Sequence, residues 1–144
     1  MRILRIIEFT AAITVVLLAI FLYGYGVSRD LEISRQSEEI PVSVTSFLFG
    51  FLILVAPSVF LGIGSYGHSF RHSSWGFLLV LISAAVNNLL IVAFFVGIIW
   101  AYPGWAVLLF IIQFFLVLVA VAAALLSNRN PTSACNGLAG TGLL

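Results

Sequence analysis

The chain has very little that can carry charge, and this lack sets its class. It contains no lysine, and charged residues make up 8% of its 144 positions. Globular domains in water carry about a quarter, because their outer faces need them. The charges are also missing in blocks. Between Arg71 and Arg129 lie 57 residues without an acid, an arginine or a lysine. Two more such runs cover Ile40–Phe70 and Phe9–Ser28.

Other absences exclude functions. The formal net charge is +1, and no basic cluster exists to track a phosphate backbone, so nucleic acid is not an expected partner. Cys135 is the single cysteine, which excludes an internal disulfide and any CxxC motif. There is no glycine-rich phosphate loop, no nucleophile elbow and no pair of intramembrane carboxylates. The expectation is a chain that is not an enzyme and has no metal site and no cofactor.

What is present is apolar. Hydrophobic residues make up 62% of the chain and the mean hydropathy is +1.23. A helix that crosses ~30 Å of hydrocarbon needs ~20 apolar residues. The charge-free runs therefore predict four spans, at about residues 6–27, 43–66, 76–100 and 105–126. Tyr102-Pro103-Gly104 supplies the last bend, since proline interrupts a helix and glycine tolerates turn dihedrals. The predicted fold is an all-α integral membrane protein, an antiparallel four-helix transmembrane bundle over residues 1–127. Residues 128–144 read as a disordered tail rich in Gly, Asn, Ser and Thr. Residues 28–41 read as a polar loop with room for a turn or two of helix, and residues 67–75 as a short loop. The basic start at Arg2 and Arg5 is expected to belong to a retained first span, because Glu8 interrupts it and Tyr23-Gly-Tyr-Gly-Val offers no cleavage site.

Arg2, Arg5, Arg71 and Arg129 fall on one side of this layout, whereas Arg29 and Arg35 share the other with four acids. The excess of positive charge predicts that both termini are cytoplasmic, in a cell inner membrane. Tyr23, Tyr25, Trp100, Tyr102 and Trp105 then gather at the outer interface and Trp75 at the inner one.

The rare polar residues within the spans are the candidate sites. Asn87 and Asn88 fall mid-helix, where a polar group is costliest. Counted from the inner turn, Asn87 lies level with Pro57, whose missing N–H frees the carbonyl of Ile53. The expectation is that an asparagine amide donates to that carbonyl and fixes the helix pair. Gln113 is the third buried amide, with a homo-oligomer interface as one outlet. Asn87, Asn88, Pro57 and Gln113 thus form a predicted structural polar core.

A second, inner-surface polar cluster comprises Glu8, His68, Arg71 and His72. Glu8 lies close to its helix end and is expected to lean towards headgroups and water, in an interfacial ion pair. His68 and His72 have the i, i+4 spacing of metal ligands, but two ligands are too few, and the surrounding Ser and Gly suggest a turn. Small residues mark the expected inward faces: Ser58 with Gly62, Ala93 with Gly97, and the stripe Gln113–Val117–Ala120–Ala124.

These readings favour a structural or interaction subunit of a membrane assembly, in contact with the lipid bilayer and with itself or another membrane protein. The alternative is a small oligomeric transporter or channel with a mid-membrane site at Asn87, Asn88 and Gln113.

Overall fold

The computed structural model describes residues 2–36, 44–98 and 103–128, all but a few of them helical. The helices are α1 (Arg2–Gln36), α2 (Val44–Leu54), α3 (Ala56–Arg71), α4 (Ser74–Ile98) and α5 (Gly104–Asn128). α2 and α3 follow one another across Val55 and act as one span, so the chain is an all-α four-helix bundle. Each of its four long helices is long and apolar enough to cross a membrane. Expectations placed on Trp100, Tyr102, Arg129, Cys135, the surroundings of Gly97 and the tail after residue 128 lie outside the described residues.

The packing inverts the habit of a water-soluble protein. One core cluster consists of Ala12, Val15, Leu61, Val80, Ala84, Val117 and Ala124, with one leucine among them. Ile3, Leu17, Phe49, Leu89 and Phe115 are among the many large apolar residues left exposed. In water that distribution would cost far more than it gained. In hydrocarbon, large side chains lose nothing by facing outward, and small ones let helices approach.

The closest approach is between α3 and α4. A Cβ added to Gly76 would collide with the backbone of His68, Gly67 and Gly64. One added to Gly64 would meet the backbone N of Val80 at 2.9 Å. These glycines are there because nothing larger fits between the two backbones. Gly67 therefore belongs to the helix contact. The loop expected at residues 67–75 shrinks to His72 and Ser73. His72 takes the left-handed conformation (φ 52, ψ 32), and the Ser73 N–H reaches back to the Gly67 carbonyl at 3.1 Å.

α1 also differs from its expected span of 6–27. It runs unbroken to Gln36, through most of the segment read as a loop. Ser28 caps nothing; its hydroxyl bonds back to the Gly24 and Tyr25 carbonyls at 3.2 Å, inside a continuing helix. Leu31, Glu32, Arg35 and Gln36 are good helix formers, and no proline follows until Pro41. At ~1.5 Å per residue the helix is roughly 52 Å long, well beyond the ~30 Å of a bilayer core.

Aromatic pairs mark the two ends. Tyr25 and Trp105 meet edge to face at 4.6 Å, and Tyr23 meets Phe51 at 5.7 Å. Trp75 stands 80% exposed at the opposite end. Of the small-residue faces, Ser58, Gly62 and the α5 stripe are buried as expected, but Ala93 is exposed and faces away from the bundle.

The glycine contact generates a contrast between two substitutions. Gly76→Ala meets backbone that cannot move aside, and is expected to cost about 1–3 kcal/mol, the usual range for overpacking. Gly24→Ala, with nothing within 4 Å of the new methyl, is expected to be neutral or slightly stabilising. Reversible unfolding in mixed micelles distinguishes the two.

Candidate functional site

Two polar layers cross the bundle at different heights. The first is built around the interruption between α2 and α3. Val55 keeps right-handed dihedrals (φ −95, ψ −42), bonds back to the Phe51 carbonyl at 2.9 Å, and accepts from the Val59 N–H at 3.0 Å. Pro57 stands in the first turn of α3, where its missing N–H does least harm. The helix is thus interrupted in its bonding without a turn being made.

Ser58, the next residue, is fully buried and organises this layer. Its Oγ accepts from Asn87 Nδ2 at 2.9 Å, and its hydroxyl donates to the Leu54 carbonyl at 3.4 Å. Asn87 Oδ1 in turn accepts from Gln113 Nε2 at 3.4 Å. The result is a directed relay: α5 donates to α4, α4 to α3, and α3 to the end of α2. The 2.9 Å bond is the strong member, and those at 3.4 Å are at the limit of useful geometry.

This arrangement corrects one expectation. The amide of Asn87 goes to the inward-facing Ser58 hydroxyl and not to the Ile53 carbonyl. Gln113 is 3% exposed and donates its amide inside the bundle. Asn88 stands apart from the relay. It is half-buried, and its Oδ1 has no bonding partner. Gln113 Oε1 is likewise buried without one. The space beside Asn87 and Gln113 is a cavity of about 10 Å³, lined otherwise by apolar groups such as Leu22, Ile91 and Phe110. That is at most the room one water molecule needs.

The second layer lies near the α3–α4 turn. Glu8 does not lean out towards headgroups. It is 0% exposed, enclosed by the α1–α3 contact. Both of its carboxylate oxygens face His68 Nδ1, at 2.9 and 3.1 Å. Ser65 and Ser69 also face the carboxylate. Ser69 donates at 3.3 Å to the Arg5 carbonyl, while Ser65 Oγ is buried without a bond of ordinary geometry. An unpaired carboxylate there would cost several kcal/mol, which the imidazole offsets.

The other predicted members of this cluster are not brought together with Glu8. His72 Nε2 lies 3.1 Å from an Arg5 guanidinium nitrogen. Since arginine can only donate, that ring nitrogen accepts and carries no proton in this arrangement. Arg71 is exposed and lies over the Tyr66 ring at 5.9 Å. His68 lies in the last turn of α3 and not in a turn of its own, and His72 has left the helix, so their i, i+4 spacing brings no shared ligand. Among the described residues, no group of three or more His, Cys, Asp or Glu side chains converges as a metal site would require.

The serine hydroxyls were the part that sequence reasoning missed. Ser58, Ser65 and Ser69 are spaced for one face of α3, and Gly62 and His68 share that face. Read together, they would have marked a polar inner stripe on an otherwise apolar helix.

No protein-family model matches the chain, and neither the curated proteins nor the solved structures provide a match.

The relay ranks the asparagines. Asn87→Leu removes the donor to Ser58 Oγ and strands the buried Gln113 amide, and is expected to cost about 1–3 kcal/mol. Asn88→Leu breaks no bond and is expected to be nearly neutral. Equal losses for both in a micelle unfolding titration would contradict the relay.

Proposed function

We propose that this protein is a multi-pass membrane protein that serves as a structural or interaction subunit of a larger membrane assembly. The supporting observation is that the deep amides and Ser58 are turned on one another, leaving about 10 Å³ beside them. A path for an ion or solute needs polar groups turned towards a continuous opening. A groove of about 440 Å³ on the outer face favours helix contact. It lies beside the α2–α3 interruption, between Pro57 and Phe60 on one wall and Ile82 and Val86 on the other. Its surface is almost wholly apolar, so its complement is another apolar helix, from a second copy or a different membrane protein.

The bilayer reading rests on the four long apolar helices and the outward large side chains. Arg2, Arg5 and Arg71 share one end of the bundle, which supports termini on the cytoplasmic face of a cell inner membrane.

One observation favours the alternative of a small oligomeric transporter or channel. The interrupted α2–α3 helix stands beside the Asn87 and Gln113 layer, and broken helices at mid-depth often carry substrate sites.

Two measurements decide between these readings. A photoreactive residue in place of Phe60 or Ile82 is expected to yield protein–protein adducts in native membranes; adducts to lipid alone would count against the assembly reading. Proteoliposomes of the protein are expected to pass ions no faster than empty ones. A flux lost on changing Asn87, Asn88 and Gln113 to leucine would establish the transporter instead.

A further inference from the structure

We propose that Glu8 and His68 form a proton-binding site, loaded from the α3–α4 end of the bundle through His68 alone. This stands independently of the assembly role.

The geometry fixes how many protons the contact holds. The Nδ1 atom lies 2.9 and 3.1 Å from the two carboxylate oxygens, and two lone pairs do not meet at that distance unless a proton lies between them. With Nε2 bare, the pair carries one proton and a net charge of −1. With Nε2 protonated, it carries two and is neutral. Only the first of these forms carries a net charge, and burial away from water penalises charge.

Access is one-sided within the pair. The Glu8 side chain is 0% exposed and that of His68 is 9%. Whatever reaches the carboxylate therefore comes by way of the imidazole. A hydronium ion at the aqueous end gives its proton to Nε2 and leaves as water. The Nδ1 proton then passes to the Glu8 carboxylate. The bare pair of net charge −1 becomes a carboxylic acid beside a neutral imidazole bearing its proton on Nε2, with one proton gained and none lost.

Few ionisable groups stand near this pair. On α1, the nearest ionisable group is Arg5, one turn away and engaged with His72. On α3, Ser65 and Ser69 supply neutral hydroxyls, and Arg71 is turned out over Tyr66. The α4 neighbour is Phe77, whose ring lies 5.3 Å from that of His68. The buried residues of α5 towards this end, Ala123, Ala124 and Ser127, bring no ionisable group.

The test uses the full-length protein in lipid vesicles, with proton as the probe. The chain has two histidines, so ¹⁵N-histidine labelling with His72→Gln leaves His68 as the sole signal. The infrared band of a protonated carboxyl group reports on Glu8, and Glu8→Gln should abolish it. Should that variant not fold, isotope-labelled glutamate in a chain with Glu32, Glu38 and Glu39 changed to Gln leaves Glu8 as the sole labelled side-chain carboxyl. On acidification, the Glu8 band and protonation of His68 Nε2 are expected to appear with one midpoint. Acidifying the face that carries the α3–α4 turn, located by a label at Ser74, is expected to produce both signals, and acidifying the opposite face neither. Separate midpoints, a carboxyl band that ignores pH, or an equal response from both faces would overturn the proposal.

Discussion

The arrangement of this bundle depends on how closely two backbones can approach. Gly64, Gly67 and Gly76 let α3 and α4 touch main chain to main chain, and that contact sets the register between them. In the same antiparallel register Asn87 arrives opposite Ser58, and Phe77 opposite His68. α1 then lies along α3, with Gly62 admitting Val16 and His68 receiving Glu8. Hydrocarbon supplies no hydrophobic drive for helices to associate, so shape and a few hydrogen bonds must specify the pairing. Here the glycines provide the shape and the two polar layers provide the bonds.

The two layers differ in what they are built to tolerate. The amide layer is neutral, and its contribution is modest: interhelical bonds of this kind average about 0.6 kcal/mol. It fixes which faces meet, and its loss would loosen the bundle without charging it. The Glu8–His68 layer carries higher stakes, because removing either partner leaves an ionisable group without its complement away from water. Its small and serine-bearing surroundings avoid competing charge. Arg5 and His72 are engaged with each other at the margin.

The architecture was largely legible in the sequence, since charge-free runs of sufficient length have few other readings. Three gaps, between Arg5, Arg29, Arg71 and Arg129, hold the four spans, the last gap being divided at Pro103, which falls just ahead of α5. Helix ends were less legible. α1 outruns its apolar stretch because backbone bonding continues wherever no residue opposes it, and polarity alone does not oppose it. Gly67 looked like a turn residue because glycine signals turns in water, whereas between packed helices it signals contact. Within the site, the depth of Asn87 and its level with Pro57 could be counted from the turn. The partner could not, because Ser58 was read for its size and not for its hydroxyl. Glu8 was placed at the interface by counting residues from the helix end. Counting along one helix does not reveal that α3 covers it, and only the α1–α3 contact does.

The length of α1 gives the bundle a lever. A single unbroken helix of roughly 52 Å joins a water-exposed extension bearing Arg29, Asp30, Glu32 and Arg35 to the buried carboxylate near its other end. A rod of that length cannot tilt locally. Rocking by ten degrees would carry one tip sideways by ~9 Å relative to the other. A rocking of the whole helix from its protruding tip would thus also shift Glu8 against α3.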